Sequence, residues 1–166
     1  RQRRSLYNNK GSIKQEDIII LNIYAPNNGA HRYIKQILLA LKREIDLDTI
    51  TAGDSNTPLS ALDRSSRQKI NKETVDLICS IEQMVLTDIN RMCHATTTEV
   101  TFFSSAYRSC SRTDCMLGHK ISLKTFKKTE VMSNIFSDHN GIKLEINNEE
   151  FCKPCKYMEI KQYAPE

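Results

Sequence analysis

A set of polar side chains falls just past the ends of apolar runs, where a rigid sheet presents reactive groups on loops. Tyr24 follows IIILNI, Asp54 and Asn56 follow DTITA, Asp114 sits in SRTDCML, and Asp138 and His139 follow EVMSNIF. Together they could cleave a phosphodiester with the help of a divalent metal. One carboxylate would orient or deprotonate the attacking water. A cationic imidazole and the metal would absorb the charge growing on the phosphoryl oxygens, and an aspartate behind the imidazole would fix its tautomer. The suited metal is Mg²⁺, a hard ion held by oxygen ligands and water. Each residue also has a plainer reading. Asp54 in TAGDSNTPLS could close an Asx turn. Asp138 and His139 could lie idle in a strand-to-strand turn, Asp114 could pair with Arg112 on the surface, and Tyr24 could be a rim aromatic.

The elements that must position these groups follow from apolar periodicity. DIIILNIYAP is a continuous apolar run ended by Pro26, which predicts a strand buried on both faces. From 31 to 46, Ile34, Ile37, Leu38, Leu41 and Ile45 recur at helical spacing. DTITAG predicts a second short strand. Residues 71–86 predict a second helix, N-capped by Asn71, with Val75, Ile78, Cys79, Ile81 and Val85 as its stripe. TDI, VTFFS, TDCML, KTEVMSNIF and GIKLEIN predict further strands. Residues 1–17 are polar and basic, with Asn8, Asn9, Gly11 and Ser12 as breakers, and the tail after Asn147 is weakly patterned. The order predicts an α/β sandwich with sheet faces covered by helices. A both-sides-buried strand this near the first residue needs neighbours that the preceding residues do not predict, so part of the sheet is expected to be missing or supplied from elsewhere.

The totals bound the class. The 166 residues are 39% hydrophobic and 27% charged, as in a globular domain with a real core. The net charge of +4 suits a polyanionic partner without requiring one. No apolar run approaches membrane-spanning length. Six cysteines are present, and only Cys152 and Cys155 make a CxxC; free, reduced thiols in an intracellular protein, nuclear or cytoplasmic, are expected over a zinc site.

The segments KGSIKQE, ILNIYAPNNGA, GDSNTPLSALDRSSRQKINKET, TEVTFFS and SDHNGIKLEI occur in a fixed order. In this the chain resembles the endonuclease/exonuclease/phosphatase superfamily. More narrowly it resembles the endonuclease domain that opens the second open-reading-frame polyprotein of long interspersed element (LINE) retrotransposons. The resemblance implies a four-layer α/β sandwich, Mg²⁺-dependent nicking of DNA to leave a 3′-hydroxyl primer, and a reverse transcriptase in the parent polyprotein. It gives Asp54 the acid/base role and Asn56 the water or phosphate contact. It places His139 on the scissile phosphate, Asp114 behind it, Asp138 near the metal and Tyr24 beside the phosphate. Arg64, Thr101 and Ser111 match DNA-facing positions. Arg64, Arg67, Lys69 and Lys72 form a local basic stretch that reads equally as a solvated face or as phosphate contacts.

The resemblance covers residues 10–147, roughly the C-terminal two-thirds of such a domain, with 1–9 and 148–166 as divergent tails. The family's early asparagine and its main metal-binding glutamate have no match here, and Glu16 stands in the wrong context to replace the latter. Ser55 stands where the family has an aromatic supporting the GDxN loop, Thr113 where it has an apolar residue, and Cys115 where it has a larger one. These departures predict a looser hold on Asp54 and crippled catalysis. Two further readings therefore stay open: a non-catalytic fragment that retains nucleic-acid binding, and another phosphodiesterase or phosphatase of the same superfamily.

Overall fold

The computed structural model describes residues 6–13, 16–63, 70–96, 100–104, 109–146 and 157–160. In chain order its elements are β1 (Leu6–Ile13), β2 (Glu16–Ile23), α1 (Ala30–Ala40), β3 (Thr49–Asp54), α2 (Lys72–Gln83), β4 (Leu86–Asp88), α3 (Ile89–Cys93), β5 (Phe102–Ser104), β6 (Ser109–Ser111), β7 (Asp114–His119), β8 (Phe126–Met132), β9 (Gly141–Ile146) and β10 (Tyr157–Ile160), with 3₁₀ turns at Ala61–Asp63 and Lys120–Thr125.

The main sheet has the order β1-β2-β3-β7-β4. The apolar run predicted as a buried strand is β2, and it is paired on both edges. It runs parallel to β3, with α1 as the crossover, and antiparallel to β1. That second neighbour comes from residues 6–13, which were expected to supply few partners for the strand. Asn8, Asn9 and Gly11 do not break β1, because its backbone groups are satisfied along the full length of β2. At the other side β7 pairs antiparallel with both β3 and β4.

α1 and α2 cover one face of this sheet. Ala30, Ile34, Ile37 and Leu38 of α1 meet Leu77 and Ile81 of α2 over Ile23, Leu86 and Leu117. The first helix stops at Ala40, short of the predicted 46. Asp46 and Thr49 form a local turn there, with the Thr49 hydroxyl donating to Asp46 Oδ1 at 2.7 Å, which competes with helical pairing. The second helix is capped as predicted, Asn71 Oδ1 accepting from Thr74 N at 2.7 Å. Its stripe is out of phase with the prediction: Thr74, Leu77, Ser80 and Ile81 are buried, while Val75, Cys79 and Val85 are exposed. The Ser80 hydroxyl is satisfied within the helix by the Asp76 carbonyl at 2.9 Å, so a polar residue can lie on the buried face.

The opposite face carries a second core of Ile50, Ala52, Ile89, Met116, Ile142 and Leu144. It is closed by α3 and by an antiparallel sheet, β10-β9-β8. β10 lies in the tail expected to be unpatterned, where its backbone pairs with β9. The described residues thus form three layers of the α/β sandwich: helices, main sheet and second sheet. A short ribbon, β5 and β6, stands beside them and meets His139 through a bridge to Phe102.

Candidate active site

Asp54 is the last residue of β3 and Asp114 the first of β7, and the two are paired across the antiparallel register. The register therefore sets two carboxylates side by side at one end of the sheet. The glycine of GDSN is required there. Gly53 has φ +138°, and a Cβ on it would lie 2.2 Å from the Ile23 carbonyl oxygen. Beyond Asp54 the chain turns, and Asn56 N donates to Asp54 Oδ1 at 2.9 Å. This is the Asx turn of the plainer reading. It occupies one carboxylate oxygen and leaves Oδ2 turned toward His139.

His139 enters the site from the turn between β8 and β9. Its Nδ1 lies 3.1 Å from Asp114 Oδ2, and its Nε2 lies 3.9 Å from Asp54 Oδ2. The first distance is a hydrogen bond in which Nδ1–H donates, so Asp114 orients the ring and leaves Nε2 facing the site. The second is too long for a direct bond. It leaves room for a water to contact both groups, or for a phosphoryl oxygen to accept from Nε2. Phe102 closes the ring's flank, with centroids 4.7 Å apart and planes tilted by 44°. The hydrogen bond to Asp114 holds the imidazole pKa above its usual range, and the charges of Asp114, Asp54 and Asp138 act in the same sense. Burial raises the Asp54 pKa, and the charge of Asp114 adds to this, against the lowering by the Asn56 amide and by His139. The pair thus holds a carboxylate poised to take a proton beside an imidazole that keeps its own.

The loop is firmly held despite Ser55. This residue is buried, its N donates to the Thr113 carbonyl at 2.8 Å, and its hydroxyl reaches the Thr57 carbonyl at 2.8 Å and that of Thr113. Hydrogen bonds to the strand carrying Asp114 replace the expected aromatic support. Arg112 is not Asp114's surface partner. It is only 5% exposed and bridges Asp63 (Nε to Oδ1, 3.0 Å) and Asp88 (NH1 to Oδ1, 3.2 Å), while Arg91 also contacts Asp63. The Arg112 amide donates to the Asp63 carbonyl at 2.7 Å. This cluster ties the end of the 55–63 loop to the start of β7. It was not predicted, because Asp63, Asp88, Arg91 and Arg112 come from different segments with no spacing rule between them.

The remaining predicted residues lie as follows. Asn56 has φ 44°, and its side-chain amide donates to the Ala25 carbonyl at 2.7 Å, so it braces β2 against the Asp54 turn. Ala25 N in turn donates to the Asp54 carbonyl at 2.9 Å. Tyr24, next to Ala25, is exposed at the rim. Asp138 is exposed beside His139, and its carbonyl accepts from Phe103 N at 3.1 Å. Thr101 corrects the expectation of a DNA-facing side chain. It is fully buried, and its hydroxyl accepts from Asp114 N at 3.4 Å, so it supports the aspartate from behind. Ser111 is half-buried in β6, and its carbonyl accepts from Thr101 N at 3.1 Å. Arg64, Arg67 and Lys69 lie outside the described residues; Lys72 is exposed at the start of α2.

Among the described residues no group of three or more His, Cys, Asp or Glu side chains is arranged to hold a metal ion. Mg²⁺ needs no such cage, since one or two carboxylates with water and a substrate phosphate suffice. Exposed Asp138 and the free side of Asp54 are the oxygen donors that fit that use. Cys79, Cys93 and Cys115 are free thiols. That of Cys115 is pushed up to about 12, chiefly by burial, and stays protonated.

No protein-family model matches the sequence. Solved structures do resemble the fold. The endonuclease domain of TRAS1, a telomere-specific non-LTR retrotransposon, superposes over 87% of this chain and 64% of its own, with TM-score 0.70 and 15% identity. An AP endonuclease from Archaeoglobus fulgidus covers 75% of this chain and 60% of its own, at TM-score 0.62 and 18% identity. An endonuclease/exonuclease/phosphatase family protein from Leptotrichia buccalis covers 86% and 53%, at TM-score 0.56 and 21% identity. The fold is one this chain shares with these three structures. The chain spans less than two thirds of each of these structures. In this chain β3, β7 and the β8–β9 turn converge on one site. No helix among the described residues is long and apolar enough to cross a membrane.

Proposed function

We propose that the chain carries the catalytic side of a DNA endonuclease, cutting a phosphodiester by water attack to leave a 3′-hydroxyl and a 5′-phosphate. The carrying observation is the line Asp114–His139–Asp54, with a gap of 3.9 Å between Nε2 and the Asp54 carboxylate. A phosphoryl oxygen in that gap would accept from the imidazolium. The attacking water would lose its proton to Asp54 as the bond from phosphorus to the 3′ oxygen breaks, and the 3′ oxygen takes up a proton from solvent. A Mg²⁺ ion bound by Asp138, water and the diester is part of the proposal, supplying Lewis-acid stabilisation of the same charge.

The printed descriptions of the similar structures support DNA as the substrate class, because they name endonucleases and enzymes in DNA complexes. The TRAS1 likeness, together with the run GDSNTPLSALDRSSRQKINKET, supports the retrotransposon-type role, in which the nick primes a reverse transcriptase carried by the parent polyprotein. Its site of action would then be intracellular, where target DNA lies.

Relaxation of supercoiled plasmid tests this reading. Nicking is expected with Mg²⁺, and it should stop on chelation and in Asp54→Ala and His139→Ala. A preparation whose two variants nick as well as the parent would sink the assignment. Turnover of inositol phosphates in preference to plasmid would move the site to the phosphatase reading.

A further inference from the structure

Asp54 and Ser55 lie between two residues of positive φ, Gly53 at 138° and Asn56 at 44°. For Asn56 that conformation costs free energy, and it persists only where the surroundings over-determine it. Ser55 supplies much of that hold. Its N–H donates to the Thr113 carbonyl at 2.8 Å, which carries the β3–β7 pairing one residue past Asp54 and Asp114. Its hydroxyl returns to the same carbonyl and also lies 2.8 Å from the Thr57 carbonyl. One hydroxyl thus spans the turn, because Thr113 precedes Asp114 in the chain and Thr57 follows Asn56. The protonated Cys115 thiol is in hydrogen-bonding reach of the same hydroxyl and can occupy its acceptor side. At 2% exposure Ser55 is closed off from solvent.

What the hydroxyl fixes follows from the chain. The peptide joining Ser55 to Asn56 carries the N–H that bonds Asp54 Oδ1 at 2.9 Å, so the tilt of that peptide sets the rotation of the Asp54 carboxylate. That rotation sets Oδ2, 3.9 Å from His139 Nε2. Ser55 anchors one end of the peptide, and the Asn56 side-chain amide, on the Ala25 carbonyl at 2.7 Å, anchors the other. We propose that Ser55 is a positioning residue for the cleavage: its hydroxyl holds the Asp54 carboxylate in line for the attacking water without touching substrate. This rests on the nuclease reading above, in which Asp54 takes the proton of that water. A carboxylate free to rotate is in line less often, and a displacement of about 1 Å can cost about 100-fold in rate.

Ser55→Ala removes the hydroxyl and keeps the backbone bond to Thr113, so the fold should survive, and circular dichroism checks this. Ser55→Cys, in reducing buffer, fills the same space with a weak donor and carries the same expectations if the Ala variant does not fold. In metal-free buffer, amide exchange followed by NMR should quicken at Asn56 and keep the parent's rate at Thr74, whose N–H is capped by Asn71 at the start of α2. On supercoiled plasmid with Mg²⁺, kcat should fall about 10- to 100-fold with KM unchanged, because a buried side chain has no DNA contact to lose. Unchanged exchange at Asn56 would overturn the proposal, since the turn would then hold without the hydroxyl. So would faster exchange with kcat at the parent's value, or a rise in KM alone. Exchange that quickens equally at Asn56 and Thr74 would reduce Ser55 to a part of the fold and overturn its positioning role. A parent that does not nick, with exchange at Asn56 still answering to the hydroxyl, would support the hold on Asp54 and count against the nuclease reading.

Discussion

Two charged clusters meet at a single residue, Thr113. On its N-terminal side Arg112 is enclosed with Asp63, Asp88 and Arg91; on its C-terminal side Asp114 holds His139 against Asp54. Both combine carboxylates with cations, but they differ in closure. In the first, a guanidinium that does not titrate bridges two carboxylates, which push its pKa further up against its own burial. In the second, the cation is an imidazole that can lose its proton, and its Nε2 faces a gap. Removing a partner from the closed cluster strands a buried charge. On the proposed function, removing one from the open cluster stops a reaction instead.

The two losses should therefore separate in experiment. Asp54→Ala should lower nicking by about 10²- to 10⁴-fold, while its melting temperature stays at or above the parent's, because burial disfavours the Asp54 carboxylate. Arg112→Ala should destabilise by about 3–5 kcal/mol, read by urea unfolding, since Asp63 and Asp88 would face each other without their shared cation. Equal losses of stability in the two variants would erase the distinction between the clusters.

This contrast also explains what could be read from the sequence. The run IIILNI announced β2, and the breakers around Asp54 announced a turn, because each is a local pattern. Both readings of Asp54 in TAGDSNTPLS fit one side chain: one oxygen makes the bend and the other faces His139. What stayed hidden is non-local. Arg112 was read against its sequence neighbour Asp114, whereas its partners arrive from the 3₁₀ turn and the N-cap of α3. The phase of α2 was hidden because polar Thr74 and Ser80 lie on its buried face. β1 was lost because its polar residues are held by β2 and not by their own propensity.

Asp114→Asn sharpens the open side. With the hydrogen bond weakened and the charge removed, the His139 pKa should fall, as followed by NMR titration of the imidazole C–H signals in metal-free buffer. In the parent the folded pKa lies above the unfolded value of about 6.5. Protonated His139 therefore adds stability that is complete below that unfolded value and fades as pH rises through the folded one. The variant should lose that pH dependence, and activity that needs the imidazolium should decline at lower pH than in the parent. An unchanged imidazole titration would mean that Asp114 does not set the charge of this ring.

The smallest expected effect lies at Thr113 itself. Its side chain is buried at 9% exposure, and its hydroxyl makes no hydrogen bond of normal geometry. It nevertheless stands close enough to Asp54 to pull that carboxyl's pKa down, against the larger upward push of burial. An unsatisfied buried hydroxyl costs about 1–3 kcal/mol, so Thr113→Val, which keeps the shape, should gain about 1 kcal/mol in urea unfolding. The same change removes a group that favours the ionised carboxylate. The acidic limb of the pH–rate profile should then move upward while the basic limb, set by His139, stays in place. A variant that loses stability would show that the hydroxyl is already satisfied in the folded chain and belongs with the closed cluster. A gain in stability with the limb displaced would place Thr113 on the open side, where the site keeps an ionised carboxylate at the expense of a better-packed strand.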